Sequence, residues 1–128
     1  MQLYAMQLQL ISMKSIITYG GNFFYFLPKE TPSFVKPMEN KQVTVGGSIV
    51  LECMASGMPR PKLSWRKNGD PLQATERHFF TAEDQLLIIV DTKISDAGSY
   101  ECEMSNSLGS VVGESHLTVK PGKKFLAS

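Results

Sequence analysis

Residues 96–102 read Asp96-Ala97-Gly98-Ser99-Tyr100-Glu101-Cys102, and the chain runs on through Glu103, Met104 and Ser105. Successive side chains of a strand point to opposite faces. Tyr100, Cys102 and Met104 therefore share one apolar face, and Ser99, Glu101, Glu103 and Ser105 share a polar one. Asp96-Ala97-Gly98 reads as the turn that opens this strand. The same alternation recurs on both sides of it. Upstream, Ile49, Leu51 and Cys53 fall on one face, as do Leu63 with Trp65 and Leu87 with Ile89; downstream, Leu117 and Val119 do the same. Turn signals stand between these runs at Gly46-Gly47, Gly57 to Pro61, Asn68-Gly69, Asn106 to Gly109 and Pro121-Gly122. Short strands recurring every ~8–12 residues predict an all-β sandwich or barrel. No intervening stretch holds a 3.6-residue period long enough for a substantial helix. One apolar and one wet face per strand predicts two packed antiparallel sheets with the core between their inner faces. Asn-Gly readily takes the positive φ angles of a tight hairpin, so Asn68-Gly69 reads as turn chemistry alone.

The totals fit one domain. The chain has 128 residues, 42% hydrophobic and 20% charged, with 13 Lys+Arg against 12 Asp+Glu for a net charge of +1. Nucleic-acid binding needs a basic surplus to displace counterions, so no nucleic-acid partner is expected. The two cysteines, Cys53 and Cys102, are distant from each other, and only His78 and His116 could join them as zinc ligands. No metal or cofactor is expected from that set. From composition alone the cysteines remain either a disulfide or two buried thiols.

Cys53, Trp65 and Cys102 stand in the order and approximate spacing of an immunoglobulin domain, with Tyr100 two residues before the second Cys. The run Asp96 to Cys102 resembles the Asp-x-Gly-x-Tyr-x-Cys pattern of that superfamily. Gly57-Met58-Pro59-Arg60-Pro61 and Asn106-Ser107-Leu108-Gly109 resemble its intermediate set. The resemblance implies a Greek-key β-sandwich over residues 31–120. It also implies a Cys53–Cys102 disulfide clamping the two sheets, an indole of Trp65 packed on that bridge, and structural roles for Asp96, Gly98 and Tyr100. Three further stretches are narrower in their likeness: Thr75 to Phe80, Asp84 to Val90 and Cys102 to Gly109. They resemble the membrane-proximal third immunoglobulin domain of the leucine-rich repeat and immunoglobulin-like transmembrane protein family. That likeness implies an extracellular or cell-surface setting and a role in modulating growth-factor receptor signalling, with a receptor ectodomain as the candidate partner. Thr92 departs from the pattern, standing where many such domains place an aliphatic residue.

Enzymatic chemistry is not expected. His78 and His116 sit in no nucleophile motif and read as exposed strand residues. Gly46-Gly47 is followed by no phosphate-cradling Lys, and Asp70, Glu83, Asp84 and Asp91 lack calcium-loop spacing. No small-molecule substrate is implied. A protein partner is, and the candidate binding face is the wet side of the Trp65 and Tyr100 strands, where parity predicts that Lys62 and Arg66 face Glu101 and Glu103. The loops carrying Arg60 and Leu108 are the second candidate. The competing class is an intracellular structural domain of a filament-type scaffold, in which the cysteines would stay reduced.

Residues 1–30 and 121–128 read as unpatterned, poorly structured flanks. The first positive side chain is Lys14, and Gln2, Gln7 and Gln9 interrupt the apolar stretch before it, which is not the layout of a secretory signal. Ser15 to Pro28 carries no charge but is too short for a membrane span. These flanks predict that the chain is a fragment or variant of a larger protein.

Overall fold

A strand residue that hides one face and wets the other needs a second sheet against the hidden face, and the chain supplies two. The computed structural model describes residues 15–19, 22–26 and 28–122, the first two ranges through their backbone pairing only. Its strands are β1 (Ser15–Tyr19), β2 (Asn22–Phe26), β3 (Glu30–Phe34), β4 (Lys41–Thr44), β5 (Ile49–Glu52), β6 (Ala55–Met58) and β7 (Lys62–Lys67). They continue as β8 (Asp70–Pro71), β9 (His78–Thr81), β10 (Leu86–Ile89), β11 (Gly98–Asn106) and β12 (Gly109–Lys120), with a 3₁₀ turn at Ile94–Asp96. One sheet runs β5-β10-β9 and the other β4-β12-β11-β7-β8, while β3 pairs with β6. Every pairing is antiparallel except β4 with β12.

The buried core is Leu51, Cys53, Trp65, Leu87, Ile89, Tyr100, Cys102, Met104, Leu117 and Val119. Each lies at a position that alternation assigns inward. Cys53 and Cys102 form a disulfide between the sheets, with Cα atoms 6.4 Å apart. The bridged residues are 49 positions apart, and closing a loop of that size contributes roughly 4 kcal/mol in the chain-entropy account. Trp65 is the register partner of Cys102. Its indole N–H donates to the Asp84 carbonyl at 2.7 Å, so the buried ring keeps its one polar atom satisfied. Cys53 and Met54 interrupt the strand between β5 and β6, and Gln85 spans the gap. Its carbonyl accepts from the Cys53 amide at 2.7 Å, and its side-chain oxygen accepts from the Ala55 amide at 2.9 Å.

Four findings go beyond or against the expectations. His78 is buried, not exposed: it begins β9 on the inward side, and its Nδ1 lies 2.7 Å from the Thr75 hydroxyl. His116 is exposed as expected. Asn68 does more than turn. Its amide donates to the Ser99 carbonyl at 2.8 Å, and its side-chain oxygen accepts from the Ser99 amide at 2.9 Å. That contact explains Gly98, where φ is +147° and a Cβ would meet the Asn68 oxygen at 2.7 Å. Thr92 is fully buried, and its hydroxyl donates to the Gly47 carbonyl at 2.7 Å, so the polar residue at an aliphatic position costs no unsatisfied group. Lastly, the chain before Thr31 contains a hairpin, with β1 paired to β2 from Ser15↔Phe26 to Tyr19↔Asn22. Its β-branched and aromatic residues favour strand, and Gly20-Gly21 lies between the two runs.

Candidate functional site

Two clusters of charge are built on β11, one at its beginning and one along its wet face. The first forms where the 3₁₀ turn delivers Asp96. Its carboxylate accepts from the Lys93 amide at 2.7 Å and from both Nη atoms of Arg77, at 2.8 and 3.1 Å. Arg77 Nη1 also donates to the Asp91 carbonyl at 3.1 Å, and His78 Nε2 lies 3.4 Å from the same carboxylate. The Tyr100 hydroxyl donates to the Asp96 carbonyl at 2.6 Å. Burial alone pushes the Asp96 carboxyl upward, but the Arg77 fork and the Lys93 amide outweigh it and hold the group below its ordinary value. Burial likewise lowers His78 and raises the Tyr100 hydroxyl. These groups tie the approach to β9 to the start of β11, and they face inward. Sequence reasoning singled out Asp96, Gly98 and Tyr100 but missed Arg77 and His78.

The second cluster lies on the outer face of the five-stranded sheet. Arg66 Nε donates to Glu101 at 3.1 Å, and its Nη1 donates to Glu103 at 3.0 Å. Those two hydrogen bonds, Glu103 first, raise the guanidinium above its ordinary value. Three of the four residues read as a binding face are thus brought together. Lys62 is not. The register places it opposite Ser105 and diagonal to Glu103, on the other side of Ser64 from Arg66, and it is Arg66 that Glu103 bonds. Two residues on this face escaped the sequence reading. Glu114 stands directly across from Glu101 and accepts a hydrogen bond from the Ser99 hydroxyl, and Val112 stands across from Glu103 with its side chain exposed. Alternation along Gly109–Lys120 was signal enough for both. Leu108, at the turn between β11 and β12, is also exposed. Among the described residues no group of three or more His, Cys, Asp or Glu side chains could hold a metal ion. No helix among them is long and apolar enough to cross a membrane.

The family model for the immunoglobulin I-set domain matches residues 32–119. The chain belongs to the I-set family. Over 92 residues, 72% of its length, this I-set chain is 56% identical to human leucine-rich repeats and immunoglobulin-like domains protein 3, of which it spans only 8%. It is 39% identical over 94 residues, 71% of its length, to the muscle M-line assembly protein unc-89 of Caenorhabditis elegans, of which it spans 1%. Among solved structures, the titin M3 domain superposes with a TM-score of 0.67 at 32% identity, covering 71% of this chain and 98% of that one.

Proposed function

We propose that this I-set module, residues 31–120 with flanks at 1–30 and 121–128, binds another protein through the outer face of its five-stranded sheet. In this reading it is part of a cell-surface protein that modulates growth-factor receptor signalling, and a receptor ectodomain is its partner. The observation that carries the binding face is the fork of Arg66 onto Glu101 and Glu103, which fixes a charge pattern on a rigid two-strand platform. Fixed charges on a sheet set partner choice and encounter rate. The 56% identity to the leucine-rich repeats and immunoglobulin-like domains protein supports the setting, and the Cys53–Cys102 bridge suits an oxidising compartment. Reversal of Arg66→Glu is expected to weaken capture of receptor ectodomains, and the double reversal with Glu101→Arg to recover stability without recovering capture. Capture equal to wild type by both variants overturns this face and points to the loops at Arg60 and Leu108.

The likeness to unc-89 and titin M3 favours a second reading, a structural domain inside the cell. Free-thiol counting on protein from its natural compartment separates the two: two thiols support the scaffold, none the surface protein.

A further inference from the structure

The sheet that carries the charged face has an unfinished edge. Along its inner side β7 pairs with β11 from Lys62↔Ser105 to Lys67↔Tyr100. Along its outer side β8 covers only Arg66 and Lys67. Pro71, the register partner of Arg66, turns its backbone away from β7, and the Leu72 amide makes the last link, to the Trp65 carbonyl at 2.9 Å. In an antiparallel ladder alternate residues turn their backbone groups to opposite sides. Trp65 points its carbonyl away from β11, so Leu63, two residues earlier, points its N–H and C=O the same way. Among the described residues those two groups have no backbone partner.

Beside this edge lies a hollow of about 430 Å³ whose lining includes Leu63, Leu72, Ala74 and Phe80. It adjoins a second of about 370 Å³ that Lys62 and Asp84 help to line. Arg60, at the same mouth, is paired with Glu83. Lys62 is exposed and, among the described residues, has no carboxylate within ion-pair distance. An open strand edge, a partly apolar trough alongside it that Ser64, Gln73 and Asp84 also line, and a cation at its end with no ion-pair partner among the described residues together describe one kind of guest. We propose that the edge of β7 at Lys62–Ser64 receives an extended peptide segment of a partner protein as an added strand. Its main chain bonds Leu63, an apolar side chain enters the trough, and an acidic residue meets Lys62. A second copy of this chain fits less well, since pairing β7 with itself sets Lys62, Arg66 and Lys67 against their own kind. This site is separate from the charged outer face and does not depend on it.

Trp65 is the only tryptophan and helps to line the trough, so its emission reports occupancy. The full chain is titrated with a short synthetic peptide alternating valine and glutamate, with amide exchange read at Leu63. Expected are a saturable change in Trp65 emission and protection of the Leu63 amide. Both should be lost when alternate peptide amides are N-methylated. Lys62→Glu should weaken the glutamate peptide several-fold and favour its lysine counterpart. The proposal is overturned by equal binding of the N-methylated peptide, by perturbation centred on Glu101 and Val112 instead of Leu63, or by no binding up to millimolar peptide. Concentration-dependent self-association that Lys62→Glu abolishes would assign the edge to a second copy and overturn it equally.

Discussion

Arg77 and Arg66 each hold carboxylates with two nitrogens, yet they sit in opposite surroundings. Around Arg77 the Asp96 side chain is 5% exposed and the arginine side chain 22%; around Arg66 the three side chains are 28%, 33% and 35% exposed. Asp96 also spends its lone pairs on the Lys93 amide and brings Tyr100 and His78 into one network. The Arg66 side chain hydrogen-bonds, among the described residues, to the two glutamates that flank Cys102 on the wet side. The same ion pair therefore does two different jobs. Buried, it fixes how one end of the sandwich closes, because an uncompensated carboxylate there is expensive; half-exposed, it is screened by solvent and shapes a surface.

Removing the inner guanidinium should give the largest effect. Arg77→Leu leaves Asp96 buried without its main partner and is expected to cost about 3 kcal/mol, read as a lower urea midpoint. Adding Asp96→Asn should return part of that loss. An unchanged midpoint would show that the network contributes nothing.

Acid should test the inner cluster next. Asp96 is held low in the fold, so its contribution is complete above its unfolded value of about 4 and is lost as pH falls through the folded one. His78 is also held low, but as a base kept neutral by burial. The unfolded chain binds its proton first, so stability is full above about pH 6.5 and declines from there toward the lower folded value. Denaturant midpoints measured between pH 7.5 and 5.5 should fall in the wild type and flatten in His78→Asn. The later carboxylate step should persist in that variant. A flat wild-type profile across this range would contradict the burial of the imidazole.

Smaller still is the effect of Arg66→Glu. The midpoint should drop slightly, and the drop should shrink as salt rises. A large, salt-insensitive loss would mean that this cluster is structural as well. Lys62→Gln should not move the midpoint at all, because no carboxylate among the described residues lies within ion-pair distance of it.

The contrast also marks what could be read from the sequence. The ten buried apolar positions of the core were legible, since alternation needs only the chain's own period, and the Cys53–Trp65–Cys102 spacing named the sheets they join. Parity assigned Lys62 and Arg66 to one face correctly. It could not say that Lys62 would fall opposite Ser105, because register is fixed by both strands together. Arg77 and His78 were missed for a related reason: their partner Asp96 lies on a different element, and nothing periodic links them. The hairpin at Ser15–Phe26 escaped because its residues are apolar without alternation, leaving pairing the only evidence of strand.

The parallel ladder between β4 and β12 carries one more consequence. Its four register pairs, Leu117↔Lys41 to Lys120↔Thr44, join a strand near the start of the module to the strand that ends it. Tension applied between the beginning of β4 and the end of β12 runs along these strands, not across them. All of the cross-strand bonds are then loaded in shear at once and must fail together. A pull that peeled the ladder sideways would break them one by one at lower force. Strand direction at this seam thus makes the module's resistance to stretching depend on the axis of the pull.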